Sequence, residues 1–506
     1  MLIKLDNRAS LSPRWTLFLW TVALLAAITF PLSAKLAGFQ DGDGLITSLI
    51  STQKLTWYFW GQDRLLNFIP ALAWPISNLE WNLRAQIFLR TLFAFLAPAG
   101  ILCFLTDNRR TIALGTLFTN AMLMLALSKY SLFNLYVQHN PFGSSLVLLW
   151  AAWRLAQPGG ITRTTLATLI LVIAYATNFA LFAVSLPMLG LIFVLGSRPR
   201  TRIFVFGVIN VLAILAAKWH SSVFGDVHDT KFSLTVSVDA IRAGYAAVGQ
   251  QMAWAWLVAA SLIMLAAGIW KKVPRTWTSL GLAAGFILLI GALSCATWAQ
   301  INGYNIRYYL IFLIGFLAVA SYMLVATMDR TALPSIAEAG GSMILLVLAF
   351  FIGLGGVSSS PGILLLPPWR NESPAIARVA IAERAPLIVG SFWDVWSAVY
   401  EVDSMPGPHM MAYGGTLRGD ILRYRIVRAA APDGSIRALC FLESADACAD
   451  EAARGLKVPM HPVPDNSDKV LTVAGKTIRI VTLRFADPAA AAIRAIGHWG
   501  RPITHA

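Results

Sequence analysis

Two carboxylates near the amino terminus could do acid–base chemistry. Asp41 and Asp43 are separated by one glycine and follow the first long apolar segment of the chain directly. An ionisable side chain beside an apolar span is costly, which makes it a candidate functional residue. One of the two acids could take a proton from an acceptor hydroxyl. The structural alternative is that Asp43 only caps the helix predicted after it, with its oxygen accepting backbone N–H groups.

That short helix is predicted from the spacing of Leu45, Ile46, Leu49 and Ile50. These residues fall on one face, as in a helix that lies on a membrane. The acids would then stand at the start of this helix, in an outer loop that covers residues 35–84. We take this loop as the candidate catalytic loop.

The same loop contains side chains suited to a sugar or a phosphate. Trp60, Gln62, Asp63 and Arg64 follow one another closely. Aromatic faces and polar groups together grip sugars, and the planar guanidinium of Arg64 fits phosphate oxygens. The alternative is an aromatic belt at the membrane interface, with Asp63 and Arg64 balancing each other's charge.

Two later loops add further polar side chains. His139 and Asn140 stand at the start of a span, where a helix N-terminus favours anions. A lone His in such a place is more often a structural, hydrogen-bonded residue than a catalyst. Tyr304, Arg307 and Tyr308 lie at the mouth of a later span. Arg307 could reach the membrane surface with its charged end, or it could bind a lipid phosphate together with the tyrosines.

Another loop carries potential metal ligands, Asp226, His228 and Asp229, with Lys231 beside them. Their spacing matches no strong ligand pattern. We therefore expect no metal site there and no cofactor, while a requirement for a divalent metal stays open.

The elements that must position these residues are membrane spans. The chain has 506 residues, is 57% hydrophobic and 13% charged, and has a mean hydropathy of +0.65. These values lie outside the range of ordinary soluble domains. The net charge of +15 is dispersed between apolar segments and not gathered in one basic domain. This pattern argues against nucleic acid as a partner and favours membrane lipids.

A spanning helix needs about 20 apolar residues, and this template predicts about eleven spans. Their approximate centres are Ala23, Phe95, Phe118, Leu148, Leu171, Leu189, Val211, Ala260, Phe286, Phe316 and Leu348. The first is expected to be an uncleaved span with a cytoplasmic amino terminus. Basic residues mark alternate connections as cytoplasmic. This alternation requires residues 164–195 to form two short helices that turn near Thr177 and Asn178. With that turn, the loops that carry the candidate functional residues lie on the outer side.

The composition changes after residue 358, where long apolar runs stop and charged residues become frequent. We predict a domain 1–358 in the membrane and a small α/β domain, 359–506, outside it. Ser373 is predicted as a helix N-cap with Pro374 behind it. Residues 387–389 and 438–442 are predicted strands, and residues 470–481 a hairpin that turns at Ala474 and Gly475.

The chain has four cysteines. Cys440 and Cys448 lie in the predicted outer domain, where an oxidising compartment would allow a disulfide, although spacing alone does not decide it. Cys103 and Cys295 lie in predicted spans and are expected to be packing residues.

Together these features resemble the GT-C superfamily of integral membrane glycosyltransferases, which includes protein O-mannosyltransferases and the lipid A aminoarabinose transferase. The resemblance covers the membrane part of the chain: an acidic first outer loop with Asp41 and Asp43, about eleven spans, and a late outer element with Tyr304, Arg307 and Tyr308. Many members have two adjacent acids where this chain has Asp-Gly-Asp. The choice of base therefore stays open, with Asp43 favoured by its position at the helix start.

The resemblance implies a fold, an α-helical polytopic membrane protein, and a function. The enzyme would move a sugar from a polyprenyl-phosphate donor to a hydroxyl of a glycan, lipid or protein acceptor, with inversion, on the outer face of a bacterial inner membrane. The first-loop acid would be the base, and Arg64 and Arg307 would stabilise the leaving phosphate.

Three alternatives remain. A transporter or flippase would have ionisable groups within its spans or a repeated half. The predicted spans contain almost no ionisable groups, and the sequence has no repeat. A polysaccharide polymerase or ligase also handles lipid-linked sugars, but its main functional loop usually comes late in the membrane region. A non-catalytic assembly protein would not depend on Asp43.

Overall fold

The computed structural model describes residues 13–32, 40–139, 141–156, 160–196, 199–225, 233–251, 254–328, 335–355, 372–406, 411–415, 420–464 and 468–489. Within these ranges the chain is mainly helical, with one small sheet near the carboxyl end. Asn140 and the loop that carries Asp226, His228, Asp229 and Lys231 lie outside the described residues.

Helices occur along the chain from Pro13 to Leu456. In chain order they are Pro13–Leu32, Gly42–Gln53, Phe68–Ala73, Leu79–Leu105, Arg109–Ala126, Lys129–Tyr136, Phe142–Ala156, Ile161–Thr177, Phe182–Leu195, Arg200–Phe224, Val238–Gln250, Trp254–Trp270, Thr276–Ser294, Thr297–Ile301, Leu310–Met328, Ser335–Gly355, Ser373–Ala382, Phe392–Ser404, Asp420–Ala429 and Ala445–Leu456. Short 3-10 helices cover Phe179–Leu181 and Ile306–Tyr308. Each predicted span centre falls inside one of these helices.

Among the described residues, some helices are long and apolar enough to cross a membrane. They are Leu79–Leu105, Arg200–Phe224, Thr276–Ser294 and Leu310–Met328, with the bent pair Ile161–Thr177 and Phe179–Leu195 as a fifth candidate. The protein is therefore a multi-pass membrane protein. The number of about eleven spans stays a prediction, because apolar helices such as Phe142–Ala156, with 15 residues, are shorter than a bilayer crossing requires.

The predicted break at Thr177 and Asn178 is confirmed. The helix Ile161–Thr177 ends there, and the chain continues as Phe179–Leu195 with a bend of 116°. The side-chain oxygen of Asn178 accepts the N–H of Ala180 at 3.2 Å. Such a side-chain cap stabilises a new helix start.

The chain folds into two compact units. The helical unit comprises Met1–Ala37, Ile87–Ser221 and Asp229–Leu365, and the sheet unit comprises Gly38–Gln86, Ser222–His228 and Leu366–Ala506. Residues 40–84 of the candidate catalytic loop thus belong to the same unit as the described residues from 372 to 489. This grouping differs from the composition-based division into 1–358 and 359–506, which stays a prediction.

The core of the helical unit is the helix Leu310–Met328. Nearly all of its side chains are buried, and it packs against the helices Arg109–Ala126, Trp254–Trp270 and Thr276–Ser294. A helix that is apolar on every side is expected to be a core element. The short Ile306–Tyr308 helix comes directly before it, so Arg307 is attached to the central helix of this unit.

The sheet unit is built on six described strands. They are β1 Leu387–Val389, β2 Tyr413–Gly414, β3 Ser435–Cys440, β4 Met460–Val463, β5 Lys469–Val473 and β6 Lys476–Phe485. The strand order is β2-β1-β3-β6-β4, and β5 also pairs with β6. The pairs of β1 with β2 and β3 are parallel, whereas β6 is antiparallel to β3, β4 and β5.

Most local predictions in this unit are confirmed, and one is corrected. The strand at residues 387–389 and the turn at Ala474 and Gly475 form as predicted, the turn with φ values of 50° and 80°. Two successive positive φ values are typical of a tight hairpin turn. Ser373 is not the N-cap: Glu372 precedes the helix there and makes no side-chain cap bond. Pro374 lacks an N–H, so one fewer donor needs a cap.

Cys440 and Cys448 form a disulfide, with Cα atoms 6.1 Å apart. The bridge joins the end of β3 to the helix Ala445–Leu456. Cys103 and Cys295 are buried and take part in no disulfide, which agrees with the prediction that they are packing residues.

Candidate functional sites

The helix Gly42–Gln53, which we call the first-loop helix, begins at Asp41. The Oδ1 atom of Asp41 accepts the N–H of Gly44 at 3.1 Å. The hypothesis that Asp43 is the cap is therefore wrong: Asp41 has the extended backbone of an N-cap (φ −109°, ψ 179°), whereas Asp43 lies in the first helical turn.

The apolar face of the first-loop helix is buried in protein. Leu45, Ile46, Leu49 and Ile50 are each 0% exposed. The helix packs against Phe392–Ser404 and Phe68–Ala73 of the sheet unit, so the expectation that this face meets a membrane is wrong. Burial of such side chains stabilises by about 1.5–3 kcal/mol each, which holds the two acids on a fixed support.

A buried network of amides and hydroxyls also fixes the first-loop helix. The Nδ2 atom of Asn82 donates to the Ser51 hydroxyl at 2.8 Å, and the Nε2 atom of Gln86 donates to the Thr47 carbonyl at 3.0 Å. Asn82 and Gln86 are both 0% exposed. Buried polar groups of this kind specify one arrangement when they are bonded to each other.

The two acids differ in how easily a substrate can reach them. Asp41 is 9% exposed, and one of its oxygens is used by the cap. Asp43 is half-buried. A general base must lie within hydrogen-bond reach of the proton it takes, and Asp43 is the more accessible of the two.

Trp60 is a packing residue. It is 3% exposed, and its indole N–H donates to the Lys54 carbonyl at 3.2 Å. Its ring lies 6.2 Å from the ring of Trp396. The surface that remains is too small for a sugar to stack on, so the prediction that Trp60 binds substrate is corrected.

The other polar residues of this loop lie nearer the surface. Gln62 and Asp63 are half-buried and Arg64 is exposed. The Nε atom of Arg64 donates to the Gln62 Oε1 atom at 3.4 Å. The loop itself is held by Asn67, whose Nδ2 atom donates to the Tyr58 carbonyl at 2.6 Å.

In the helical unit, Arg307 contacts the side chain of Tyr308, the next residue in the chain. Its Nη2 atom donates to the Tyr308 hydroxyl at 3.0 Å, and the guanidinium carbon lies 5.0 Å from the centroid of that ring. The side chain of Asn305 accepts the N–H of Arg307 at 3.1 Å and donates to the Tyr130 hydroxyl at 3.1 Å. Tyr304, with φ 53°, makes the turn before this element.

Arg307 and a second arginine, Arg90, both act electrostatically on His139. Burial lowers the pKa of His139 to about 3, and the positive charges of Arg90 and Arg307 act in the same direction. His139 is therefore neutral at physiological pH. Arg90 is 3% exposed, and its Nη1 atom donates to the Val137 carbonyl at 3.3 Å. Two arginines beside a neutral imidazole form a positively charged site, which favours an anion.

The sequence predictions missed Arg90. It lies inside the candidate span Leu79–Leu105, whereas the sequence predicts spans that are almost free of charge. The signal was present, because an arginine in an apolar span is a functional candidate by itself.

The structure places the predicted residues in two sets. Asp41, Asp43, Trp60, Gln62, Asp63 and Arg64 lie in the sheet unit, and His139, Tyr304, Arg307 and Tyr308 lie in the helical unit. Within the described ranges, no group of three or more His, Cys, Asp and Glu side chains is arranged to hold a metal ion.

No protein-family model and no curated protein matches the chain. Two solved structures that it resembles are cryo-EM structures of the arabinofuranosyltransferase AftD from mycobacteria, one of them of a mutant. Both are 13% identical to this chain, with TM-scores of 0.43 and 0.41. The matches cover 94% of this chain but only 40% and 42% of the AftD chains. A likeness of this extent does not by itself assign an activity.

Proposed function

We propose that the chain is a membrane glycosyltransferase of the GT-C type. It transfers a sugar from a polyprenyl-phosphate donor to a hydroxyl of a cell-envelope glycan, lipid or protein. The acceptor proton goes to the Asp43 carboxylate, the acceptor oxygen bonds to the anomeric carbon, and the bond from that carbon to the phosphate oxygen breaks. Polyprenyl phosphate leaves with the electron pair, and the anomeric configuration inverts.

The observation that carries the proposal is the convergence of Arg90 and Arg307 on His139. Two guanidinium groups near a neutral imidazole attract an anion, and the phosphate of a lipid-linked sugar is such an anion. The negative charge on the phosphate grows as it leaves, so the arginines stabilise the transition state more than the ground state.

The role of Asp43 is supported by the rigidity of its helix. That helix is capped by Asp41 and packed on one face, and catalytic groups are most precise on rigid elements. We assign Asp41 to capping and Asp43 to proton transfer. Gln62, Asp63 and Arg64 border the same loop and are assigned to substrate binding.

The disulfide supports the location of the reaction. Disulfides persist in oxidising compartments and are rare in the cytosol. The Cys440–Cys448 bridge belongs to the sheet unit, as does the candidate catalytic loop. We propose that this unit lies on the outer face of the inner membrane, where polyprenyl-linked sugars are used.

Arg307→Gln tests the proposal in cells, with Arg84→Gln as a matched control. Arg84 is exposed and forms its ion pair within its own helix, with Glu80. We expect Arg307→Gln to reduce the surface glycan and to accumulate the polyprenyl-linked sugar, whereas Arg84→Gln does neither. Wild-type glycan in cells that contain normal amounts of the Arg307→Gln protein would contradict the assignment.

The buried Arg90 also favours a second function, a flippase for lipid-linked sugars, since a transporter uses ionisable groups within spans. Purified protein in detergent separates the two functions. A micelle has no sealed compartments, so a flippase forms no product there. A glycosyltransferase still releases polyprenyl phosphate and extends the acceptor.

A further inference from the structure

Three helix ends meet around a cavity in the helical unit. They are the amino-terminal ends of Pro13–Leu32 and Arg109–Ala126 and the carboxyl-terminal end of Phe142–Ala156. The cavity has a volume of about 190 Å³ and is partly open to its surroundings. Pockets that take a drug-sized molecule are larger, about 300–1,000 Å³. The space therefore suits a small group, such as the headgroup of a lipid.

The cavity is positively charged, because two arginines line it and its described lining residues include no acid. Among the described residues, the side chain of Arg109 makes no ion pair and no hydrogen bond. The Nη1 atom of Arg154 lies 3.7 Å from the Oδ1 atom of Asp107, and both side chains are partly exposed. A long and exposed ion pair contributes little, and Asp107 has other interactions as well. One shared carboxylate therefore does not balance the two guanidinium groups.

Tryptophans form the apolar part of the cavity wall. They are Trp15, Trp20 and Trp150. Trp20 is 36% exposed, and Leu24 and Ile28, which follow it at intervals of four residues, are 42% and 51% exposed. Side chains four positions apart lie on the same face of a helix. An exposed apolar stripe thus leads from the cavity along the helix, and it favours a lipid, whose acyl chain can cover it, over a free phosphate.

The cavity is separate from the arginine site at His139. The helix Phe142–Ala156 begins three residues after His139 and ends two residues after Arg154. With a rise of 1.5 Å per residue, Phe142 and Arg154 lie about 18 Å apart along the helix axis. The two basic sites thus lie at opposite ends of one helix. The sequence predicts that the end with Arg154 is cytoplasmic, and basic pockets between helices on that side bind anionic headgroups.

We propose that this cavity binds the headgroup phosphate of an anionic phospholipid from the cytoplasmic leaflet. Arg109 and Arg154 bind the phosphate oxygens, since a planar guanidinium can donate two parallel hydrogen bonds to them. One acyl chain lies along the apolar stripe that begins at Trp20. The proposal goes beyond the proposed function and does not depend on it, because this lipid is a bound component of the membrane protein and not the sugar donor.

Native mass spectrometry of the full chain in detergent tests the site. The probes are dioleoylphosphatidylglycerol, which is anionic, and dioleoylphosphatidylcholine, which has no net charge, with inorganic phosphate as a competitor. We expect the wild type to bind one phosphatidylglycerol about tenfold or more tightly than it binds phosphatidylcholine. The double variant Arg109→Gln with Arg154→Gln should lose this preference.

The double variant Arg200→Gln with Arg202→Gln is the matched control. It also removes two positive charges from the helical unit, and both arginines are exposed and lie outside the cavity wall. The control should keep the wild-type preference for phosphatidylglycerol. Thermal unfolding of each variant checks that it is folded, and the comparison of the two lipids on the wild type needs no variant.

Any of three results would overturn the proposal. The first is equal affinity of the wild type for the two lipids. The second is a preference that the cavity variant keeps, or that the control loses to the same extent. The third is displacement of phosphatidylglycerol by an equal concentration of inorganic phosphate, which would show that the site takes a free anion and gains nothing from the acyl chain.

Discussion

The side-chain amide of Gln53 donates a hydrogen bond to Asp403. These residues lie at the carboxyl-terminal ends of the first-loop helix and of the helix Phe392–Ser404. Phe392 and Gly42 meet at the opposite ends. The two helices therefore run side by side in the same direction, and both amino-terminal ends lie next to Asp41 and Asp43. The contact at Asp403 helps to fix that alignment.

The Asp403 contact makes stability depend on pH. Burial raises the pKa of Asp403 to about 7 from 3.8, although the Ala412 N–H, Gln53 and Arg425 each favour the charged form. The folded protein thus keeps this proton to a higher pH than the unfolded chain does. Between about pH 4 and pH 7 the free energy of unfolding should fall, by up to about 1.4 kcal/mol per pH unit from this group. Thermal unfolding in detergent over this range measures the slope.

Asp403→Asn is the matching variant, because it keeps the shape and cannot titrate. We expect a flatter dependence of Tm on pH for the variant than for the wild type between about pH 4 and pH 7. Parallel curves for the two proteins would show that Asp403 is not protonated in this window.

The pKa of His139 depends on the charges of Arg90 and Arg307. Its pKa of about 3 is caused first by burial and then by Arg90 and Arg307. Removing one positive charge with Arg307→Gln should raise the pKa, but burial should still keep it below the ordinary value of 6.5. Nitrogen-15 NMR of labelled histidines, followed through a pH titration, measures this. A wild-type His139 that titrates at the ordinary value would show that it is neither buried nor close to the arginines.

Reduction of the Cys440–Cys448 bridge should destabilise the sheet unit. Opening such a short loop costs about 2–3 kcal/mol by chain entropy, so a reductant should lower the Tm of the wild type. The double variant Cys440→Ser and Cys448→Ser should have the lower Tm without reductant, and adding reductant should not change it. Equal loss of Tm in both proteins would trace the effect to something other than this disulfide.

Features that depend on local sequence were predictable. Asn178 interrupts an apolar segment with a polar side chain that can cap the next turn, and the structure breaks there. Ala474 and Gly475 lie between two alternating segments, and the hairpin turns at that point. In both cases the residues that decide the structure are neighbours in the chain.

Features that depend on residues far apart in the chain were not predictable from the sequence. The pattern of Leu45, Ile46, Leu49 and Ile50 shows an apolar face but cannot tell lipid from protein, and the partner helix begins at Phe392. In the sequence, Arg90 is a single charged residue in an apolar span. Only the structure shows that it acts on His139 together with Arg307. The spacing of apolar residues shows which face of a helix is apolar. Only the folded structure shows what packs against that face.

The measurement that tests the central claim most directly is turnover by Asp43→Asn and Asp41→Asn. Purified proteins receive polyprenyl-phosphate pentofuranose or hexopyranose donors and a glycan acceptor, and release of polyprenyl phosphate is followed. Asn caps a helix as well as Asp does, so both variants should unfold at the wild-type temperature. We predict that Asp43→Asn lowers kcat by about 100-fold or more, while Asp41→Asn keeps most of the activity. Wild-type turnover by Asp43→Asn would contradict the account.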